Sequence, residues 1–130
     1  MQAKVVATLG QELYYTEVVA GTNTLITDEP IDLGGGNKGF NPFEVLATSL
    51  ASCTAATLKM YMDRKQWIVD QIKVEVEAFQ EDGITKFNRS IVFEGGSLGE
   101  EEKKRLLIIA NKCPIHKVLT GENQIETELK

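Results

Sequence analysis

The sequence is poor in the residues and runs that mark several large classes of protein. Its 130 residues include one histidine, two cysteines and three prolines, and the formal net charge is −5. Proteins that bind nucleic acid through phosphates need a basic stripe, and none is visible, so no nucleic-acid partner is expected. The start lacks the charged leader and apolar run of a signal peptide, and no stretch reaches the roughly 18 consecutive apolar residues of a membrane span. We therefore expect a cytoplasmic protein with no membrane partner.

The bulk composition is that of an ordinary globular protein. Hydrophobic residues make up 42% and charged residues 25% of the chain, which predicts a single domain over residues 1–130. In a reducing compartment a disulfide is more often transient and catalytic than structural. Free cysteines are also among the most buried residues, so two inert thiols are the alternative at this point.

The first third of the chain has the pattern of short strands. Residues 4–9, 12–20 and 22–27 are rich in Val, Tyr and Thr and are separated by turn residues, which predicts a three-stranded meander. The loop at 34–39 formally matches G-x-G-x-x-G, but it follows no buried strand and lacks a βαβ context. No nucleotide or other cofactor is therefore expected.

A strong helix start follows this loop. Asn41 suits the cap position, Pro42 the first turn, and Glu44 lies three residues after the cap, as in a capping box. The predicted helix extends to about Arg64 and carries Cys53 in its third turn. Its middle has no polar face, so other structure must enclose it.

The second half predicts a hairpin and a second long helix. Residues 69–79 and 84–94 alternate in polarity around a turn at Asp82-Gly83. A second capping box, from Ser97 to Glu100, predicts a helix whose apolar stripe ends with Cys113.

Pro114 is expected to end that helix, and residues 124–129 are predicted to form a last strand. The predicted order is βββ-α-ββ-α-β. The fold class is therefore α+β, with antiparallel sheets and two long helices.

Two segments of the sequence resemble the OsmC/Ohr family. The run Asn41–Leu46, followed by Ala51–Thr54, is similar to the family's central-helix motif, in which a Pro, a Glu and an apolar run lead to a cysteine. The run Cys113–Leu119 is similar to its second cysteine motif. The resemblance implies an intertwined homodimer with its sites at the subunit interface.

The same resemblance implies a thiol-dependent peroxidase that acts on organic hydroperoxides or hydrogen peroxide in oxidative-stress defence. Cys53 would attack the peroxide and become a sulfenic acid, and Cys113 would resolve it as a disulfide that an external dithiol reduces. The alternative is a family relative that binds a small molecule and whose cysteines do no redox work.

The sequence departs from the family pattern in the charge that the thiol needs. The family's thiolate is supported by an arginine from the N-terminal strands, and this chain has no arginine before Arg64. Cys53 is therefore expected to keep a pKa at or above its usual value, with Lys38 as the nearest candidate cation. Glu44 precedes Cys53 by nine residues, which places it on the opposite side of a straight helix. It is interpreted as a cap, with a catalytic role as the alternative.

The only histidine forms a Cys113-x-x-His116 pair. With Cys53 this pair offers three zinc ligands, but structural zinc sites are usually four-coordinate and the chain has no further Cys or His. No metal is expected. His116 is expected to pack or hydrogen-bond near the end of the second helix.

Overall fold

The structure is a computed structural model that describes residues 2–130. The chain forms two compact units, of which the first ends at Leu46 and the second covers Ala47–Lys130. Antiparallel sheets and helices are segregated along the chain, which confirms the α+β class. None of the described helices combines the length and the apolarity that a membrane span requires.

The first unit contains the predicted meander. Strands β1 (Val6–Leu9), β2 (Thr16–Ala20) and β3 (Asn23–Thr27) pair antiparallel in that order, and a short 3₁₀ helix follows at Ile31–Leu33. Each strand begins later than predicted. No side chain of these strands is fully buried. The strands are paired by hydrogen bonds, but their side chains are not packed as in a protein core.

The glycine-rich loop is organised by Asp28. Its carboxylate accepts hydrogen bonds from the backbone N–H groups of Glu29 at 2.8 Å, Gly36 at 3.2 Å and Lys38 at 3.1 Å. Burial raises the pKa of Asp28, but these N–H donors outweigh it and hold the pKa below its usual value. A Cβ at Gly35 would lie 2.1 Å from the Glu29 carbonyl oxygen. The glycine is explained by this close backbone approach.

Helix α1 (Pro42–Lys65) begins as predicted. The N–H of Asn41 donates to Glu44 Oε1 at 2.9 Å, and the N–H of Glu44 donates to Asn41 Oδ1 at 2.8 Å. This reciprocal pair satisfies two of the donors that a helix start leaves open. The helix ends before Gln66, whose φ of 59° is left-handed.

The second unit contains the predicted hairpin. Strands β4 (Gln71–Glu81) and β5 (Ile84–Glu94) pair along their full length, from Gln71–Glu94 to Glu81–Ile84. The turn residues Asp82 and Gly83 have φ values of 54° and 75°. Two consecutive left-handed residues match the twist of the strands, so a two-residue turn can set the register.

The core of this unit lies between the helices and the inner face of the hairpin. Leu58 and Met62 of α1 pack with residues of helix α2 (Glu100–Ala110) and are at most 1% exposed. Burying a side chain of this size contributes roughly 1.5–3 kcal/mol before entropy is counted. The full cluster comprises Leu58, Met62, Leu106, Ile109 and Ala110, with Ile72, Ile91 and Phe93 of the hairpin packed against it.

The end of the chain differs from the prediction in three places: the bounds of α2, an additional helix after it, and the last strand. Helix α2 begins two residues later than predicted, with Gly99 in place of Ser97 as its cap and the N–H of Gly99 donating to Glu102 Oε1 at 2.7 Å. The helix ends at Ala110. Pro114 does not only end a helix. It begins a new one, α3 (Pro114–Thr120), because its fixed φ and missing N–H suit a first helical position.

No regular secondary structure occupies residues 121–130, where a strand was predicted. Ile125 and Leu129 are 91% and 100% exposed. Alternation alone does not form a strand when its apolar side chains have no surface to cover. The order within the described residues is βββ-α-ββ-α-α.

Candidate thiol site

The two cysteines meet in the second unit. Cys53 lies three turns into α1 and is half-buried, whereas Cys113 caps the start of α3 and is 0% exposed. Both are free thiols. Their side chains lie close enough for each to shift the pKa of the other. Sixty residues of chain separate them, and the packing of α1 against the α2–α3 segment brings them together.

The two thiols differ in how readily they ionise. Burial and the contact with Cys113 raise the pKa of Cys53. Burial also raises the pKa of Cys113, but its neighbours outweigh burial and lower it: Cys53, the N–H groups of His116 and Ile115, and the Thr54 hydroxyl. The pair therefore gives up its first proton readily and its second reluctantly. The surroundings of Cys113 favour its ionised form more than those of Cys53 do.

Helix α3 contributes to this effect through its first turn. The Cys113 side chain makes no capping hydrogen bond, yet the nearby N–H groups of His116 and Ile115 lower its pKa. The N–H of Ile115 acts on Cys53 in the same direction. The sequence prediction missed these donors because it did not include α3.

Thr54 is a buried polar residue beside the pair. It is 0% exposed, and its hydroxyl donates to the carbonyl oxygen of Leu50 at 2.6 Å. The same oxygen accepts a hydrogen bond from Arg89 Nη1 at 3.0 Å. Thr54 thus connects an arginine to the thiol neighbourhood.

Arg89 is the residue that the sequence prediction missed. It lies on β5, and its second terminal nitrogen contacts Asn111 Oδ1 at 2.8 Å and His116 Nδ1 at 3.2 Å. A guanidinium can only donate, so His116 Nδ1 accepts and carries no proton. A signal was present: Arg89 shares the parity of Phe87 and Ile91, so a charge stands on the inward-facing side of the strand.

A cavity of about 580 Å³ opens beside this cluster. Apolar side chains of α1, β5, α2 and α3 form most of its wall, and its polar lining residues are Thr85, Arg89, Asn111, His116 and Thr120. Neither cysteine lines it. It is separated from the thiol pair by a single residue. Arg89 contacts Thr54, which lies beside Cys113, and the backbone N–H of His116 acts on Cys113 directly. The apolar lining residues are Leu50, Phe87, Ile91, Leu107 and Leu119.

The other candidate residues have defined partners. Lys38 forms a salt bridge with Glu12 at 2.9 Å in the first unit, and Glu44 makes the cap described above. A catalytic role for Glu44 stays a prediction. His116 does hydrogen-bond in the region after α2, as expected. Within residues 2–130, no group of three His, Cys, Asp or Glu side chains is arranged to hold a metal ion.

The comparison with known families agrees with the motifs around the two cysteines. The pattern that defines the OsmC-like proteins matches residues 35–128, which is most of the chain. The chain belongs to the OsmC-like protein family. No protein with a curated description matches its sequence.

Solved structures show how this OsmC-like chain folds. A structure from Psychrobacter arcticus, named for osmotic stress induction and a detoxification response, is 24% identical with a TM-score of 0.78, covering 91% of this chain and 88% of that one. An OsmC-like protein from Mycoplasma pneumoniae is 21% identical with a TM-score of 0.75, covering 93% and 89%. The organic hydroperoxide resistance protein of Bacillus subtilis is 23% identical with a TM-score of 0.63, covering 93% and 92%. At these identities the likeness establishes the fold.

Proposed function

We propose that this OsmC-like protein reduces hydroperoxides with the thiols of Cys53 and Cys113, in defence against peroxide stress. The observation that carries the proposal is the contact between two free cysteines from different helices, beside groups that stabilise a thiolate. A structural neighbour named for organic hydroperoxide resistance supports the substrate class.

The exposure of the two sulfurs supports the order implied by the family resemblance. Cys53 is half-buried and Cys113 is fully buried, so a peroxide reaches Cys53 first. The neighbours of Cys113 favour its ionised form, so Cys113 serves as the base that takes the Cys53 proton as Cys53 attacks. One base and one nucleophile then share a single proton within the pair.

The steps balance as follows. The Cys53 sulfur bonds to the distal oxygen of the hydroperoxide, the O–O bond breaks, and the alcohol leaves with a proton, so that Cys53 becomes a sulfenic acid. The Cys113 sulfur, which has passed its proton to the alcohol, then bonds to the Cys53 sulfur, and the sulfenic OH group leaves as water with one proton from solvent. An external dithiol returns two electrons and two protons by exchange, which fits a reducing compartment such as the cytoplasm.

The thiol count tests this proposal. One equivalent of cumene hydroperoxide is expected to remove two thiols per chain and to form an intramolecular Cys53–Cys113 disulfide, visible by mass spectrometry without reduction. Cys113→Ser is expected to leave a trappable sulfenic acid on Cys53, and Cys53→Ser to abolish peroxide consumption. The reverse behaviour of the two variants would exchange the roles, and an unchanged thiol count would exclude the reaction.

The cavity favours a second candidate, the binding of a small molecule without redox chemistry. Its lining combines an apolar wall with Arg89, Asn111 and His116, as ligand sites commonly do. A protein that binds without redox chemistry would keep both thiols in the peroxide experiment, so the same measurement separates the two functions.

We also propose that the protein is a homodimer. Strand β1 exposes Val6 and Leu9 by 55% and 53%, and β3 exposes Leu25 by 39%. Apolar strand surface of this kind favours association. Sedimentation at micromolar concentration is expected to give twice the chain mass, and a stable monomer would refute the dimer.

A further inference from the structure

We propose that Arg89 supplies the positive charge of the thiol pair and acts through the Thr54 hydroxyl as a positioning residue. This inference deepens the peroxidase proposed above and rests on it. The family resemblance places such an arginine in the N-terminal strands, and this chain carries its candidate on β5 instead.

The charge of Arg89 is not neutralised by an acid. Within residues 2–130, none of the salt bridges involves Arg89, and its three partners are a hydroxyl, an amide and an imidazole nitrogen. The guanidinium is half-buried and permanently protonated. A cation in this setting favours a negative charge on any ionisable neighbour.

Thr54 provides the path from this cation to sulfur. Its oxygen accepts from Arg89, while its single proton bonds the Leu50 carbonyl. Donation from a guanidinium polarises the hydroxyl and makes it a stronger donor. When Cys113 ionises, that proton can turn to the sulfur, because the Leu50 carbonyl keeps its helical partner.

The segment that carries Cys113 also holds the guanidinium in place. Asn111 precedes Cys113 by two residues and His116 follows it by three, and both bind the same terminal nitrogen of Arg89. The orientation of the guanidinium is therefore tied to the position of the buried thiol. The other terminal nitrogen of Arg89 donates to the Thr54 hydroxyl.

Thiol alkylation without peroxide tests the inference directly. The reduced full-length protein is treated with iodoacetamide from pH 6 to pH 10, and the rate at each cysteine is followed by mass spectrometry. The variants are Arg89→Met, Arg89→Lys, Thr54→Val and the Arg89→Met/Thr54→Val double variant. Arg105→Met is the control, because Arg105 contacts the Tyr61 hydroxyl at 3.0 Å and none of the thiol neighbours.

Arg89→Met is expected to move the rate profile to higher pH and to slow alkylation at pH 7 about tenfold, as an apparent thiol pKa one unit higher requires. Arg89→Lys is expected to recover part of the rate, since it keeps the charge. Thr54→Val is expected to shift the profile in the same direction, and the double variant no further than Arg89→Met. The control is expected to superimpose on the wild type.

Three results would overturn the inference: an Arg89→Met or Thr54→Val profile that superimposes on the wild type, an Arg89→Lys rate as slow as that of Arg89→Met, or fully additive shifts in the double variant. If Arg89→Met does not fold, Thr54→Val decides: a profile that superimposes on that of the wild type overturns the inference, and a shift to higher pH supports it. Failure of the proposed function is separate, because alkylation needs no peroxide. If the wild type consumes no hydroperoxide but Arg89→Met still shifts the alkylation profile, the peroxidase proposal fails and the role of Arg89 stands.

Discussion

The stability of a Thr54→Val variant measures how firmly the buried hydroxyl is held. Valine keeps the shape of threonine and removes only the hydrogen-bonding group. Thr54 is 0% exposed, so water does not replace the lost acceptor of Arg89. A hydrogen bond to a charged group contributes about 1.5–3 kcal/mol, and the added methyl regains about 0.8 kcal/mol. The net loss is expected to be about 1–2 kcal/mol.

Urea unfolding gives this number directly. Trp67, the only tryptophan, packs against the core of the second unit and reports its unfolding by fluorescence. With a slope of about 2 kcal/mol per molar urea, the midpoint is expected to fall by roughly 0.5–1 M while the slope stays unchanged.

Ser52→Ala is the matched control. The Ser52 hydroxyl makes the same kind of contact on the same helix, to the Thr48 carbonyl at 2.9 Å, but it is exposed. The control is expected to change stability by less than about 0.5 kcal/mol. If Thr54→Val loses no more than Ser52→Ala, the buried contact with Arg89 contributes nothing and the reasoning is refuted.

Three further substitutions test the packing of each unit. Leu58→Ala removes a side chain that is 0% exposed and is expected to cost about 2–5 kcal/mol in urea unfolding; a loss below about 1 kcal/mol would show a collapsible site. Asp28→Asn is expected to lower the melting temperature more at pH 7 than at pH 3. A carboxylate with a lowered pKa stabilises the fold above its unfolded pKa and loses that effect as the pH falls through its folded pKa. A difference in melting temperature that does not change with pH would contradict this. Gly39→Ala places a Cβ 2.3 Å from the Ile26 carbonyl oxygen, whereas Gly10→Ala meets nothing within 4 Å, so calorimetry is expected to show a clear loss for the first alone, and equal losses would refute the close approach.

Local signals predicted the elements whose determinants lie close together in sequence. The start of α1 depends on Asn41 and Glu44, three residues apart, and the hairpin turn depends on the adjacent pair Asp82 and Gly83. Such features need no knowledge of distant packing. They were predicted to within a few residues.

The remaining features depend on long-range packing. Residues 124–129 alternate like a strand, but a strand needs a partner edge, and the sequence alone does not say whether one exists. Proline at 114 is compatible both with a helix end and with a helix start. The choice between them follows from tertiary structure.

The thiol site likewise combines residues that local signals predicted with a residue whose position depends on long-range packing. The cysteine motifs predicted Cys53 and Cys113 as the site residues, and the capping-box pattern correctly predicted the cap that Glu44 makes. Arg89 was missed because the search for a cation was limited to the N-terminal strands. Its contacts join β5, α1 and the α2–α3 segment, up to 35 residues apart along the chain. Only its parity on β5 marked it in advance.

The two-residue turn between β4 and β5 has a consequence for the distant thiols. Side chains alternate between the faces of a strand, so a shift of one residue in the pairing of β4 and β5 would turn Arg89 to the outer face together with Phe87 and Ile91. The apolar side chains on this face of β5 therefore oppose any such shift. The packing that stabilises the hairpin also keeps the cation on the side of the thiols.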